Sequence, residues 1–513
     1  MKTTKLFFMA ALALTFAACS SDDTDLLIPD QPLTTDGIPF KATISTGTSG
    51  TRGLTPDGND LVATWEVGEK VALIHNGVND EMTVSAVSDD GVATIEGTIT
   101  GNPNDGAAVT IIYPSTAADG ATGNVLANLL CFQTSGTLAD VAAKYDVRKG
   151  NGTLKVDGTA SLNGNVSLDN QNAIFKFTIK NAAGSATIDI KALAATIGTK
   201  TYVTTPASAT SELYFVLPAV TSQEVSFAAV GNSKIYAFSK TVSFDAGKYY
   251  QSTLKMSETD VLPGKFTING SGDQIRFSPG NLRYVSGAWS FFDTQYGYYN
   301  TYSSDAWDKF GWVGKSSSLK DSEPGKWGVS TSTTDADYGT IANENMASDW
   351  GNVPGIGTDW RTLTKAEWDY LFNTRTASKV NGTDNARYTE ATINTNGTSV
   401  NGVILFPDVV TIAADEATTW GTINGSSDWG TQCTTAQWSA LEAKGCVFLP
   451  AAGYRDGSTV SNAGSNGRYW SSSPYADNVN YAYNVYFDSG LLNPAYNSTR
   501  HYGYSVRLIR PVK

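Results

Sequence analysis

From Phe175 to Lys180 the chain reads Phe-Lys-Phe-Thr-Ile-Lys, a strict alternation of apolar and polar residues that sets one strand face in a core and the other in water. Similar runs recur at Phe40 to Ser45, Lys70 to His75, Ala108 to Pro114, Glu212 to Pro218, Glu224 to Val230 and Lys240 to Phe244, separated by Gly, Asn and Asp turns. Helix signals are few. The pattern predicts that residues 37–256 form one β-sandwich, or two in tandem with a join near residues 145–160. After it, Ser257 to Gly264 is a short polar segment carrying Pro and Gly, and reads as a linker.

From residue 265 to residue 513 the pattern changes. Thr364-Lys365-Ala366-Glu367 is a capping box, with Leu363 and Trp368 at the positions of a hydrophobic staple, so a helix is expected from Lys365 to Thr374. Thr434-Thr435-Ala436-Gln437 is a second box, Trp438 and Leu441 give an apolar stripe, and Gly445 is a natural stop, which predicts a helix from Ala436 to Lys444. Strand patterns return at Tyr481 to Phe487 and Tyr504 to Arg510. The fold class expected is therefore mainly β and multidomain, with an α+β unit last.

Composition sharpens the division. Of the 12 tryptophans only Trp65 precedes residue 257, so the two regions are not repeats of one unit. A net charge of −13, without a Lys/Arg cluster, argues against nucleic acid. Cys433 and Cys446 flank the second predicted helix, 13 positions apart. At about 1.5 Å per residue they are roughly 20 Å apart, too far for a disulfide, which leaves Cys131, Cys433 and Cys446 as buried thiols.

The N-terminus carries Lys2 and Lys5, an apolar run from Leu6 to Phe16, and then Ala17-Ala18-Cys19. This resembles the lipobox of bacterial lipoproteins, which implies a signal peptide over residues 1–18 and a lipid on Cys19. The acidic stretch Ser20 to Asp25, inside a polar linker over 19–36, resembles the surface-export signal of Bacteroidetes-type outer-membrane lipoproteins.

Residues 37–256 resemble the fimbrillins, or type V pilins. The likeness rests on Phe40 to Ser45 followed by Gly50-Thr51-Arg52, on Thr64 to His75, on Ile111 to Pro114, and on Gly247 to Met256. It implies cleavage after Arg52 by a trypsin-like protease and assembly with other pilin subunits by donor-strand exchange. The last 250 residues resemble the C-type-lectin-like fold, in its formylglycine-generating-enzyme-like branch. Phe277 to Tyr284, Trp360 to Leu371, Ile404 to Asp408, Cys446 to Gly457, Gly467 to Pro474 and Gly503 to Pro511 carry that resemblance.

No catalytic residue is assigned. Formylglycine-generating enzymes use paired cysteines in their last third, and no Cys follows Cys446; His75 and His501, the two histidines, fall in different regions. Ser471 to Ser473, Asp488 and His501 supply hydrolase residue types without a nucleophile elbow. Neither a calcium-lectin signature nor an EF-hand loop is present, so no metal or cofactor is expected. Sugar binding draws on aromatic faces beside Asn and Asp, and the candidate ligand-binding residues are Asp428, Trp429, Asp477, Asn478, Asn480, Asn484, Tyr496 and Asn497. These readings together predict an outer-membrane, lipid-anchored, surface-exposed protein. Its expected role is a pilus tip or accessory subunit with an adhesive C-terminal domain for a host or bacterial surface glycan or protein ligand. A non-assembling glycan-binding lipoprotein is the alternative, and a formylglycine-generating-type enzyme is disfavoured.

Overall fold

The computed structural model describes residues 37–46, 55–57, 60–62, 64–312, 349–395, 397–478 and 480–512. The expected signal peptide over residues 1–18, Cys19 and Arg52 lie outside the described residues. The protein is mainly β and built from several sheets, with two helices of nine residues each in its C-terminal part.

The strands of the first sheet pair all the way round, the first strand meeting the last in the order. Ile38–Thr46 runs antiparallel to Ala93–Ile99 on one side and parallel to Thr159–Leu162 and Val166–Asn170 on the other. Phe40, Ala42 and Ile44 point into the core and the residues between them are exposed or half-buried. Around the remaining circuit come Val78–Val87, Lys70–His75, Ala108–Tyr113 and Arg148–Asp157. Trp65 meets Tyr113 edge-on at 5.1 Å inside the same core. Lys70–His75 is buried on both faces, because Ala72 and Ile74 pack outward under Ile112, Ala117 and Val147.

The second sheet runs in the order Glu212–Pro218, Asn172–Asn181, Tyr249–Thr259, Ile235–Phe244, Val220–Gly231, Ile190–Ile197, Lys200–Pro206, Phe132–Ser135. Its two outer strands are joined through a side chain. Gln133, 1% exposed, donates from Nε2 to the Val216 carbonyl at 2.7 Å and accepts at Oε1 from the Val216 amide at 3.0 Å. The join between the two sheets also differs from the expected one. Phe132–Ser135 already belongs to the second sheet, while Arg148–Asn170 returns to the first. The crossing is tied at Asp146, fully buried, which pairs with Arg148 at 3.1 Å and accepts from Asn170.

Residues 257–264 are a built joint. Ser257 to Thr259 still pair with Ile235 to Ala237, and Leu262 is fully buried, its amide donating to the Phe277 carbonyl. Beyond it, both helices form on the expected caps, each with a complete capping box: Lys365–Asn373 on Thr364, and Thr435–Ala443 on Thr434, one residue earlier at each end than Ala436 to Lys444. The second stops at Gly445, whose φ of +95° suits glycine and whose backbone lies so close to Gly264 that a Cβ on Gly264 would sit 2.1 Å from the Gly445 carbonyl oxygen. This helix is buried on two sides. Trp438 and Leu441 face the cluster holding Cys433 and Cys446, both free, and Ala440 and Ala443 meet Ala192, Ala194, Val203 and Val230 of the second sheet. Small residues on both partners allow that close approach.

Tyr504 to Arg510, expected as a strand, pairs regularly only at Ile509–Pro511, with Gln274–Phe277. Before that the segment is shared among neighbours, bridging Phe310 at Tyr504 and Tyr469 at Ser505. Its residues are buried irrespective of side, Arg507 included.

Candidate functional site

Asn466–Pro474, Tyr481–Asp488 and Leu492–Thr499 form a three-stranded antiparallel sheet, and nearly all the residues singled out from sequence lie on or beside it. Alternation assigns the faces. Tyr469, Val485 and Phe487 point one way, into the core that also holds Trp368 and Leu371 of the first helix, with Tyr469 stacked on Phe487 at 6.1 Å. Arg468, Trp470, Asn484 and Tyr486 point the other way, Arg468 standing opposite Tyr486 and Trp470 opposite Asn484. Trp470 is fully buried, stacked on Tyr504 at 4.3 Å, and donates from Nε1 to the Phe310 carbonyl at 2.6 Å. Its role is structural.

The serines that follow are structural too. Ser471 donates to the Tyr483 carbonyl, and Ser473 Oγ accepts from the Lys365 amide at 2.9 Å, satisfying a donor at the helix start that has no partner within the helix. His501 is 6% exposed, lies against Tyr502 at 4.3 Å between centroids, and is held below its usual range by burial.

The candidate ligand residues separate. Trp429 is 8% exposed and meets Phe487 edge-on at 6.3 Å, so it anchors a loop to the core and offers no open ring face. Asn484 is fully buried, donating to Ser498 Oγ at 3.1 Å and to the Tyr496 carbonyl at 3.3 Å; it supports the sheet from beneath and is no surface contact. Both corrections have one cause: composition marks Trp and Asn as sugar-binding types, while packing decides whether they reach solvent. Asp428 is exposed, and it and Trp429 have φ of 49° and 57°, a left-handed pair held by bonds from the Ser427 amide to Glu390 and from the Asp428 amide to the Ser489 carbonyl. Asp477 and Asn478 are exposed in the turn before Tyr481–Asp488, and the half-buried Asn480 closes that turn through its amide on Asn478 Oδ1. Asn497 stands opposite Tyr483 and Tyr496 opposite Asn484, so these two chain neighbours face opposite ways.

Tyr496 belongs to a cluster not anticipated from the sequence. The Arg468 guanidinium carbon lies 4.7 Å from the ring centre of Tyr486, 5.2 Å from Tyr454, 5.3 Å from Tyr504 and 6.0 Å from Tyr496. Each distance is within cation–π range. Arg468 Nη1 donates to the Tyr504 hydroxyl at 3.0 Å, while its Nε is buried without an acceptor. Tyr496 is 39% exposed, and Arg468, Tyr454 and Tyr486 are half-buried. Burial and the bond it donates to Asp488 push the Tyr486 hydroxyl up to about 12. Burial pulls the Asp488 carboxyl up, but the bonds from Tyr486, Gly490 and Leu491 outweigh it and hold the group below its usual range. Two further arginines flank the cluster: Arg455 over Tyr302 at 5.2 Å and Arg500 over Trp312 at 4.4 Å. The one local signal was the sequence Gly-Arg-Tyr-Trp, in which Arg468 shares a face with Trp470 and not with Tyr469. Finding its partners requires the hairpin register.

Among the described residues no helix is long and apolar enough to cross a membrane, and no group of three or more His, Cys, Asp and Glu is placed to hold a metal ion. A family model described as a domain of unknown function (DUF8237) matches residues 426–509, the stretch that contains this sheet. None of the curated proteins matches the chain. Among solved structures, the chain is similar to a candidate cell adhesion protein of Bacteroides uniformis, at 14% identity over 45% of this chain and 98% of that one, with a TM-score of 0.25. It is similar to a fimbrial assembly protein of Parabacteroides distasonis at 11% identity, over 47% and 96% of the two chains, TM-score 0.25. A fimbrial protein of Bacteroides ovatus is similar at 11% identity over 93% of this chain and 100% of that one, TM-score 0.21.

Proposed function

We propose that this chain is a cell-surface fimbrial subunit of the tip or accessory kind, lipidated at Cys19, opened by cleavage after Arg52, and carrying a C-type-lectin-like adhesive unit over residues 265–513. The observation that carries the reading is the place of Ile38–Thr46. This strand closes the first barrel, contributes alternate core residues, and lies just before the Gly-rich segment with Arg52. Losing it would leave two unpaired sheet edges and an apolar groove, which is what strand addition from another subunit needs. The strands available for donation support a terminal position. Tyr249–Thr259 is paired with both Asn172–Asn181 and Ile235–Phe244, and Ile509–Pro511 is held by Gln274–Phe277.

N-terminal sequencing of the protein extracted from assembled surface fibres tests the cleavage. A start at Gly53 is expected; a start at Cys19 alone in assembled material overturns it. Immunogold labelling tests the position, with label at fibre ends expected and label along whole shafts contradicting it. One observation favours a second reading, a non-assembling glycan-binding lipoprotein: with Ile38–Thr46 in place the first barrel has no missing strand. Cells lacking the protein would then bear unaltered fibres.

A further inference from the structure

We propose that the partly exposed cluster of Arg468 with Tyr454, Tyr486, Tyr496 and Tyr504 is a binding site for the carboxylate-bearing ring of an acidic saccharide. It deepens the adhesive reading above and rests on it for the presence of an extracellular saccharide.

The first argument is the state of the arginine. A half-buried guanidinium ordinarily finds a carboxylate, since desolvating an unpaired charge is unfavourable. Arg468 is held instead by four ring faces and hydroxyls, on Tyr504 at 3.0 Å and Ser498 at 3.5 Å, and its buried Nε–H has no acceptor. Asp488 is the acid close enough to feel its charge, and that carboxylate is already engaged by the Tyr486 hydroxyl at 2.5 Å and by the amides of Gly490 and Leu491 at 2.9 and 3.0 Å. The buried Nε–H cannot reach a ligand, but Nη2 makes no bond among the described residues and is not buried, so it can donate to an incoming carboxylate end-on beside Nη1, in the planar fork geometry that arginine offers and lysine does not.

The second argument is the surface beside it. Tyr496, 39% exposed, is one of the few large apolar side chains open to solvent among the described residues, and it lies 5.3 Å from Tyr486. Ring faces at the rim of a cation site suit a pyranose, whose C–H face stacks on an aromatic while its substituents reach the polar groups. Because the tyrosines pack on each other and on Arg468, the site is already ordered and little rotamer freedom remains to be lost on binding. The third argument is charge. In a chain of net charge −13, Arg468 is a half-buried cation whose neighbouring acid, Asp488, is bonded elsewhere, while Arg455 and Arg500 are fully buried against Tyr302 and Trp312. The local balance favours an anionic ring over a neutral or cationic one.

The test is calorimetric titration of the full chain with tetragalacturonate and with its fully methyl-esterified form, which keeps the rings and removes the charge, alongside 3′-sialyllactose and lactose. The acidic member of at least one pair is expected to bind at least about tenfold more tightly than its neutral counterpart, and more weakly as salt rises. Arg468→Gln should abolish that preference. Tyr496→Ala, a substitution at an exposed position, should weaken acidic and neutral members alike by about fivefold to tenfold while thermal unfolding stays unchanged. If Arg468→Gln fails to fold, Arg468→Lys keeps the charge without the fork and should retain only part of the preference. Equal binding of acidic and neutral members, or binding of neither, overturns the assignment. So does an unchanged acid preference in Arg468→Gln. These results are separable from the subunit reading: gold label at fibre ends with no saccharide bound removes the ligand assignment alone, and an acid preference on a chain absent from fibres removes the subunit assignment alone.

Discussion

The two β units of the N-terminal half close in different ways. In the first, a whole strand, Ile38–Thr46, fills the gap between Ala93–Ile99 and the pair Thr159–Leu162 and Val166–Asn170. In the second, a single carboxamide, Gln133, bridges Phe132–Ser135 to Val216 on the opposite outer strand. A closure made by a whole strand can be removed and replaced by another strand. A closure made by one buried side chain inside a sheet cannot be exchanged, and can only be broken. The second unit is also covered on one face by the helix Thr435–Ala443, whereas the first is covered over Lys70–His75 and Ala108–Tyr113 by the single turn Ser115–Ala117 and by Val147.

The largest test of that contrast is removal of the exchangeable element. Deleting residues 37–46 takes Phe40, Ala42 and Ile44 out of the first core, a loss comparable with the roughly 5–15 kcal/mol that holds a whole domain together. Calorimetry is expected to lose the transition of the first unit and keep that of the rest of the chain, and an added peptide of residues 37–46 should restore it. Loss of both transitions together would show that the two units are not independent.

Next in size is Gln133→Leu, which leaves the buried amide and carbonyl of Val216 without those partners. At about 1–3 kcal/mol for each of the two unsatisfied groups, a destabilisation of roughly 2–6 kcal/mol is expected, confined to the second unit and the region packed on it. Urea titration followed by aromatic fluorescence measures it; a change below about 1 kcal/mol would mean the sheet closes without the side chain.

The smallest effect is a pH dependence in the first unit. Burial raises the Glu69 carboxyl from 4.5 to about 7, against the bond from the Glu66 amide that lowers it. The folded state therefore binds this proton more tightly than the unfolded chain, so its stabilising contribution is full below about 4.5 and is lost as pH rises toward about 7. The melting temperature of the first unit should decline over that window in the native protein and decline less in Glu69→Gln. A parallel slope in both would exclude Glu69 as the source.

Local structure was legible wherever the rule that sets it is local. Thr364 and Thr434 cap helices because the residue three positions on completes each box, and Gly445 stops one because only glycine takes its backbone angle at low cost. The strands at Lys70–His75 and Glu212–Pro218 have the predicted bounds, since alternation and turn residues define them without reference to anything distant. The join between the two sheets, the joint at 257–264 and the fate of Tyr504 to Arg510 were not legible. Each depends on which distant strand a segment meets: Asp146 tying Arg148 and Asn170, Leu262 under Phe277, Ser505 against Tyr469.

The candidate ligand surface divides along the same line. The sequence by itself determined that Trp470 and Arg468 share one strand face, that the tyrosines cluster late in the chain, and that mainly β units precede an α+β unit, because periodicity and capping act over a few residues. Only the tertiary structure decided that Trp429 and Asn484 are buried, that Tyr496 is exposed, and that four tyrosines from four separate segments surround Arg468. Pairing register and burial are properties of residues distant in the chain, and the free energy that selects among registers resides in the assembled core.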